Sequence, residues 1–113
     1  HKPRDMAVEE RPNMRGGPGS VKITHYFKSS EIKAKCRLCA KLVLPPGAGI
    51  GLHTHDKEDE LFIILKGRGA LDDGSAKTAV GEGDAILTGN GASHAITNDG
   101  PTDLEIAAVI MCY

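Results

Sequence analysis

Two histidines and a glutamate within residues 47–67 have the types and spacing to share a metal ion. His53 and His55 are separated by one residue. On a strand both imidazoles then lie on one face, about 6.5–7 Å apart at the backbone. Imidazoles so placed can converge on one ion, with bonds of about 2.0–2.1 Å. The polar run Asp56-Lys57-Glu58-Asp59 makes a short turn, and Glu60 opens the returning strand over residues 60–65, a Leu-, Ile- and Phe-rich strand former. Its carboxylate then stands beside the two imidazoles, and the segment reads as a metal-binding hairpin. Downstream, His94 follows a turn rich in Gly and Asn.

These two segments carry a resemblance to the cupin family, in its small single-domain, conserved-barrel form. Gly47, His53, His55, Glu60 and Gly67 occupy every fixed position of the first cupin motif, G-x5-H-x-H-x(3,4)-E-x6-G. Gly83, Gly91, His94 and Asn98 match the second, G-x5-P-x-G-x2-H-x3-N, with Gly89 where the proline usually stands. The two motifs and the segment joining them cover about half the chain. The resemblance implies a metal set of His53, His55, Glu60 and His94, three nitrogens and one oxygen. Such donors bind deprotonated, and the mixture suits one divalent ion of iron, manganese, nickel, zinc or copper. On an octahedral ion two positions stay open for water, dioxygen or a bidentate substrate. A structural zinc site would instead be closed, tetrahedral and cysteine-rich. Asn98 is read as a turn residue rather than a ligand, and Gly89 as a loosening of the turn before His94.

The chain of 113 residues is the length of one domain. A net charge of −1, no Trp and 4% aromatic residues leave nothing that argues for nucleic acid. No apolar run reaches the roughly 20 residues that cross a bilayer, and the polar first ten residues lack the core of a secretion signal, so a cytoplasmic location is expected. Three cysteines, an odd number, argue against a disulfide framework. Cys36 and Cys39 have a C-x2-C spacing, but on a strand residues three apart face opposite ways, so both are read as strand residues.

Short alternating runs broken by Gly and Pro turns, without helical periodicity, predict an all-β sandwich or barrel. With the resemblance this becomes a double-stranded β-helix, or jelly-roll barrel. Residues 1–20, charged and then Gly-rich, are expected as an N-terminal arm that packs on the barrel or on a partner subunit, and residues 21–113 as one barrel domain. Strands are expected at 21–27, 35–44, 60–65, 68–71, 77–80, 85–88, 94–98 and 104–112, with a D-G hairpin turn at Asp73-Gly74. Cys36, Leu38, Ala40, Leu42 and Leu44 share one face of their strand. Arg37 and Lys41, on the other face, either bind a substrate carboxylate or sit at a solvated rim. Arg15 either reaches an anionic ligand or is a surface residue. His25, Tyr26 and Glu58 are candidates for an acid or base, and no catalytic residue is assigned. The resemblance implies a homodimer, with the apolar strand 104–112 and the arm as its expected contacts. The expected function is a small metal-dependent enzyme of the dioxygenase, isomerase, decarboxylase or lyase kind, acting on a small carboxylate or oxygen-rich metabolite. The alternative is a non-catalytic module that binds or senses a small molecule through the metal.

Overall fold

The C-terminal apolar run is the strand on which the larger sheet is built. In β10 (Leu104–Cys112) every second residue from Leu104 to Ile110 is buried, the period-two pattern of a strand with one face in a core. The computed structural model describes residues 1–113. β10 lies between β3 (Cys36–Leu44) and β5 (Glu58–Lys66), antiparallel to both. β2 (Ser20–His25), β1 (Ala7–Pro12) and β8 (Ala85–Gly89) complete a six-stranded sheet in the order β1-β2-β3-β10-β5-β8. A second sheet of four strands runs β4 (Gly49–Thr54), β9 (Ser93–Thr97), β6 (Arg68–Asp72) and β7 (Lys77–Gly81). Residues from both sheets, including Leu42, Phe62 and Ile106 from one and Ile50, Val80 and Ile96 from the other, form a single core of 14 buried side chains. The all-β expectation therefore holds, as does the inward face of β3: Ala40, Leu42 and Leu44 are buried. The turn at Asp73 and Gly74 joins β6 to β7 as a hairpin, with the Asp73 carboxylate accepting from the backbone N–H of Ser75 and of Ala76.

The hairpin expected around His53 and Glu60 does not form. β4 pairs with β9, whereas β5 pairs with β10 and β8, so the turn after His55 carries the chain from one sheet to the other. The physical reason is backbone pairing. β5 and β10 are nine residues each and satisfy one another along their length, which the six-residue β4 could not do. Glu60 is consequently the third residue of its strand, not the first.

Residues 7–12, within the stretch expected as an arm, add an edge strand to this chain's own sheet, from Ala7 opposite His25 to Pro12 opposite Ser20. The following turn, Met14–Gly16, lies against β4. It can do so because Gly17 and Gly51 have no side chains. A Cβ on Gly51 would overlap the Arg15 carbonyl, and one on Gly17 would overlap that of Gly49. Gly51→Ala is therefore expected to push the turn off β4 and to cost about 1–3 kcal/mol, the usual penalty of overpacking, read as a lower midpoint in thermal unfolding. Cys36, Cys39 and Cys112 are free thiols. Lys41 points to the outside of the six-stranded sheet, where it pairs with Glu105 at 3.5 Å.

Candidate metal centre

The four side chains singled out in the sequence meet between the sheets. His53 comes from β4, His55 from just beyond it, His94 from β9 and Glu60 from β5. His53 and His94 sit directly opposite each other in the β4–β9 ladder, which fixes their approach. One donor atom from each of the four lies within 4.8 Å of the others. His55 and His94 are 1% exposed and Glu60 4%, so the cluster lies in the interior. Each pair of the three imidazoles meets edge-on, with ring centroids 4.7 Å apart.

The outer ring nitrogens settle what the inner ones offer. His53 Nδ1 donates to the Gly51 carbonyl at 2.7 Å, and His55 Nδ1 donates to the Glu58 carboxylate at 2.7 Å. Each ring then turns a lone pair at Nε2 toward the cluster. His94 Nδ1 is held by the Thr88 hydroxyl at 3.0 Å. His55 Nε2, His94 Nε2 and Glu60 Oε1 are mutually 2.9 Å apart. So many acceptors in one buried spot need a shared cation or proton. Donors about 2.1 Å from one ion at right angles lie about 3.0 Å apart, which the observed spacing matches. Burial pushes the His53 imidazole pKa down, so the ring is neutral and ready to donate its lone pair at neutral pH. The four residues thus fit a divalent metal and could hold one.

Three members of the cluster, His53, His55 and Glu60, line a cavity of about 160 Å³ whose other polar lining is Arg11, Arg15, His25 and Arg37. Three arginines thus face the cavity, from the end of β1, the turn after it and β3. Arg15 has a left-handed backbone (φ 53°, ψ 31°), a conformation that costs a non-glycine residue about 1–2 kcal/mol and that the packing of its turn on β4 holds in place. Of the acid–base candidates, His25 lines the cavity, 3.0 Å from Glu9, and Tyr26 does not.

Glu58 is tied down. Arg37 donates to both its oxygens through Nε and Nη2 at 2.7 Å each, and His55 donates to the Oε1 oxygen. Chiefly because of Arg37, and then His55, its carboxyl is pulled down to about 2 from an ordinary 4.5. A pKa depressed in the folded state gives stability that is fully present above the unfolded value and lost as pH falls through the folded one. Glu58→Gln is therefore expected to flatten the stability–pH curve of the metal-free protein between about pH 5 and 2, followed by urea unfolding at each pH. The Glu58–His55 contact had a sequence signal, the three-residue spacing, but not one that distinguishes it from ordinary turn polarity. Thr88 and Arg11 carried no signal.

The cluster, its motifs and the two-sheet fold agree with what comparison with known proteins finds. The family described as "Cupin domain" matches residues 40–110. The chain belongs to the cupin family. This cupin is 41% identical, over 95% of its own length and 88% of the relative's, to a Thermotoga maritima protein named oxalate-binding protein. A crystal structure from Thermotoga maritima, described as a predicted oxalate decarboxylase, superposes with a TM-score of 0.93 at 39% identity, covering 99% of this cupin and 97% of that chain. A cupin 2 conserved barrel domain protein from Salinispora arenicola shares the fold with a TM-score of 0.70 at 23% identity, over 80% of this cupin and 75% of that chain.

Proposed function

We propose that this cupin holds one divalent transition-metal ion on His53, His55, Glu60 and His94 and uses it to bind a small dicarboxylate of the oxalate class. The observation that carries this reading is the lining of the cavity: His53, His55 and Glu60 of the cluster together with three arginines. A bound ion supplies Lewis acidity and open coordination positions for carboxylate oxygens. The guanidiniums of Arg11, Arg15 and Arg37 supply charge-assisted hydrogen bonds to the oxygens that do not reach the ion. The cavity of about 160 Å³ is large enough for a compact dianion. The oxalate-binding relative, 41% identical, supports the same ligand class.

Binding without turnover is favoured by what the cavity lacks. Apart from the cluster and the arginines, its one ionisable lining residue is His25. Glu58 is held as a carboxylate by Arg37 and His55 and is a poor proton donor. The second reading, a decarboxylase or related enzyme, rests on His25 and on the solved relative described as a predicted oxalate decarboxylase.

Calorimetric titration of oxalate into protein loaded in turn with Mn(II), Fe(II), Ni(II), Zn(II) and Cu(II) tests both. Oxalate is expected to bind only with metal present and far more tightly than acetate. Arg15→Gln is expected to weaken it by about 10- to 100-fold, the loss of one hydrogen bond to a charged group. Equal affinity for acetate, or metal-independent binding, sinks the dicarboxylate reading. Release of carbon dioxide from oxalate moves the assignment to the enzyme.

The same reading extends to a homodimer. On the outer face of the six-stranded sheet Ile63 and Leu65 of β5, Leu87 of β8 and Met111 of β10 are 38–66% exposed, with Leu61 and Val109 between them. β5 is thus apolar on both faces, and a second copy would cover the outer one. A monomer by light scattering at micromolar concentration counts against it.

A further inference from the structure

The three histidines of the cluster are anchored differently. His53 leans on a backbone carbonyl and His94 on a hydroxyl, but His55 leans on a carboxylate that is itself clamped by an arginine of the cavity. The chain of contacts runs from the cavity through Arg37 to Glu58 and on to His55, with every link at 2.7 Å. Arg37 uses Nε and Nη2 for Glu58, which leaves Nη1 and its two protons free of that pair. The Glu58 side chain is 13% exposed and that of His55 1%, so the His55 link lies mostly out of water.

We infer that Glu58 is the positioning residue that sets the orientation and donor strength of His55, and that Arg37 acts on the metal only by holding Glu58 in place. This rests on the metal-site reading above. A carboxylate accepting from Nδ1–H fixes which ring nitrogen carries the proton and makes the other a better donor; losing such a partner weakens metal binding by about 10- to 100-fold. Glutamine at position 58 can still accept the hydrogen bond, but without charge. With Arg37 removed, Glu58 keeps its charge but is free to swing into solvent.

Arg37 gives the inference its sharpest test, because direct charge repulsion predicts the opposite sign. A guanidinium near a divalent cation repels it, so on that ground alone Arg37→Gln should tighten metal binding. The inference requires it to weaken.

The experiment is competition of Mn(II) and Zn(II) against a chelator, on wild type, Glu58→Gln, Arg37→Gln and the double variant. Thermal unfolding of each metal-free protein separates folding defects from site defects. Glu58→Gln is expected to weaken the metal by about tenfold or more, within the range for lost outer partners. Arg37→Gln is expected to weaken it by a smaller factor, and the double variant to match Glu58→Gln alone, the non-additivity of groups acting through one another. Glu58→Gln added to His55→Ala should change nothing further. Unchanged affinity in Glu58→Gln, tighter binding in Arg37→Gln or additive losses in the double variant overturn the inference while wild-type binding stands. Wild type that binds neither metal overturns the metal site itself.

Discussion

His55→Ala is expected to reduce bound metal from about one ion per chain to a residue that dialysis against chelator removes. The loss should exceed the 10- to 100-fold of a change outside the ligands, because a donor atom itself is gone. His55 is central to the cluster: its Nε2 lies 2.9 Å from both His94 Nε2 and Glu60 Oε1, and its other nitrogen is fixed by Glu58. Elemental analysis after purification, and chelator competition after reloading, measure the effect. The fold should survive in the metal-free variant. Glu58 keeps both hydrogen bonds from Arg37, and the vacated space adjoins a polar cavity that water can enter. Thermal unfolding gives a second reading. Metal at about 100 times its dissociation constant stabilises the native state by about 2.7 kcal/mol, so wild type should gain several degrees on loading and His55→Ala none. A variant that still carries stoichiometric metal would remove His55 from the site.

Phe62→Ala should be the most destabilising of the substitutions considered, by about 3–5 kcal/mol. Phe62 is 1% exposed, two residues beyond Glu60 on the inward face of β5, opposite Ala108 of β10 and Ile86 of β8. Its ring stacks on His94 at 4.8 Å and 12°. One side chain therefore fills the core and supports a histidine of the cluster. Truncation leaves a cavity against both. For a domain whose net stability is about 5–15 kcal/mol, the loss is a large fraction. A fall in the melting midpoint on the order of 10–20 °C is the expected reading. Phe62→Leu keeps most of the volume and should lose less. Metal affinity should also fall in Phe62→Ala, since His94 then loses the ring stacked on its face and keeps Thr88 alone as the partner of Nδ1. A loss below about 1 kcal/mol would mean that the core collapses around the missing ring.

Much of this is legible in the sequence. The H-x-H pair marked two imidazoles that come together, although His55 lies just past the end of β4; the run at 104–112 alternated as a strand with a buried side must, and the D-G pair marked the β6–β7 turn. These are local properties: side-chain direction alternates with period two, and turn residues act through their own backbone. The matches to the cupin motifs then named, from residue identity alone, the four side chains that meet between the sheets, including His94, which lies far from His55 in the chain.

What the tertiary structure decided is which strands lie beside which. A hairpin between β4 and β5 satisfied the local pattern as well as the crossing between sheets that occurs. Backbone hydrogen bonds are the same for every residue, so alternation says which face a residue takes and not which neighbour its strand takes. Only the assembled sandwich brings Glu60 on one sheet against His53 and His94 on the other. Likewise Arg11 and Arg15 belong to a stretch that reads as an arm packing on the barrel or on a partner subunit, with no strand of its own. They line the same cavity as His53, His55 and Glu60 because β1 pairs with β2 and because two glycines let the next turn settle on β4. The four clustered residues were written in the sequence, but the arginine-lined side of the cavity and the partners that orient each imidazole arise from long-range packing, which residue type and spacing do not encode.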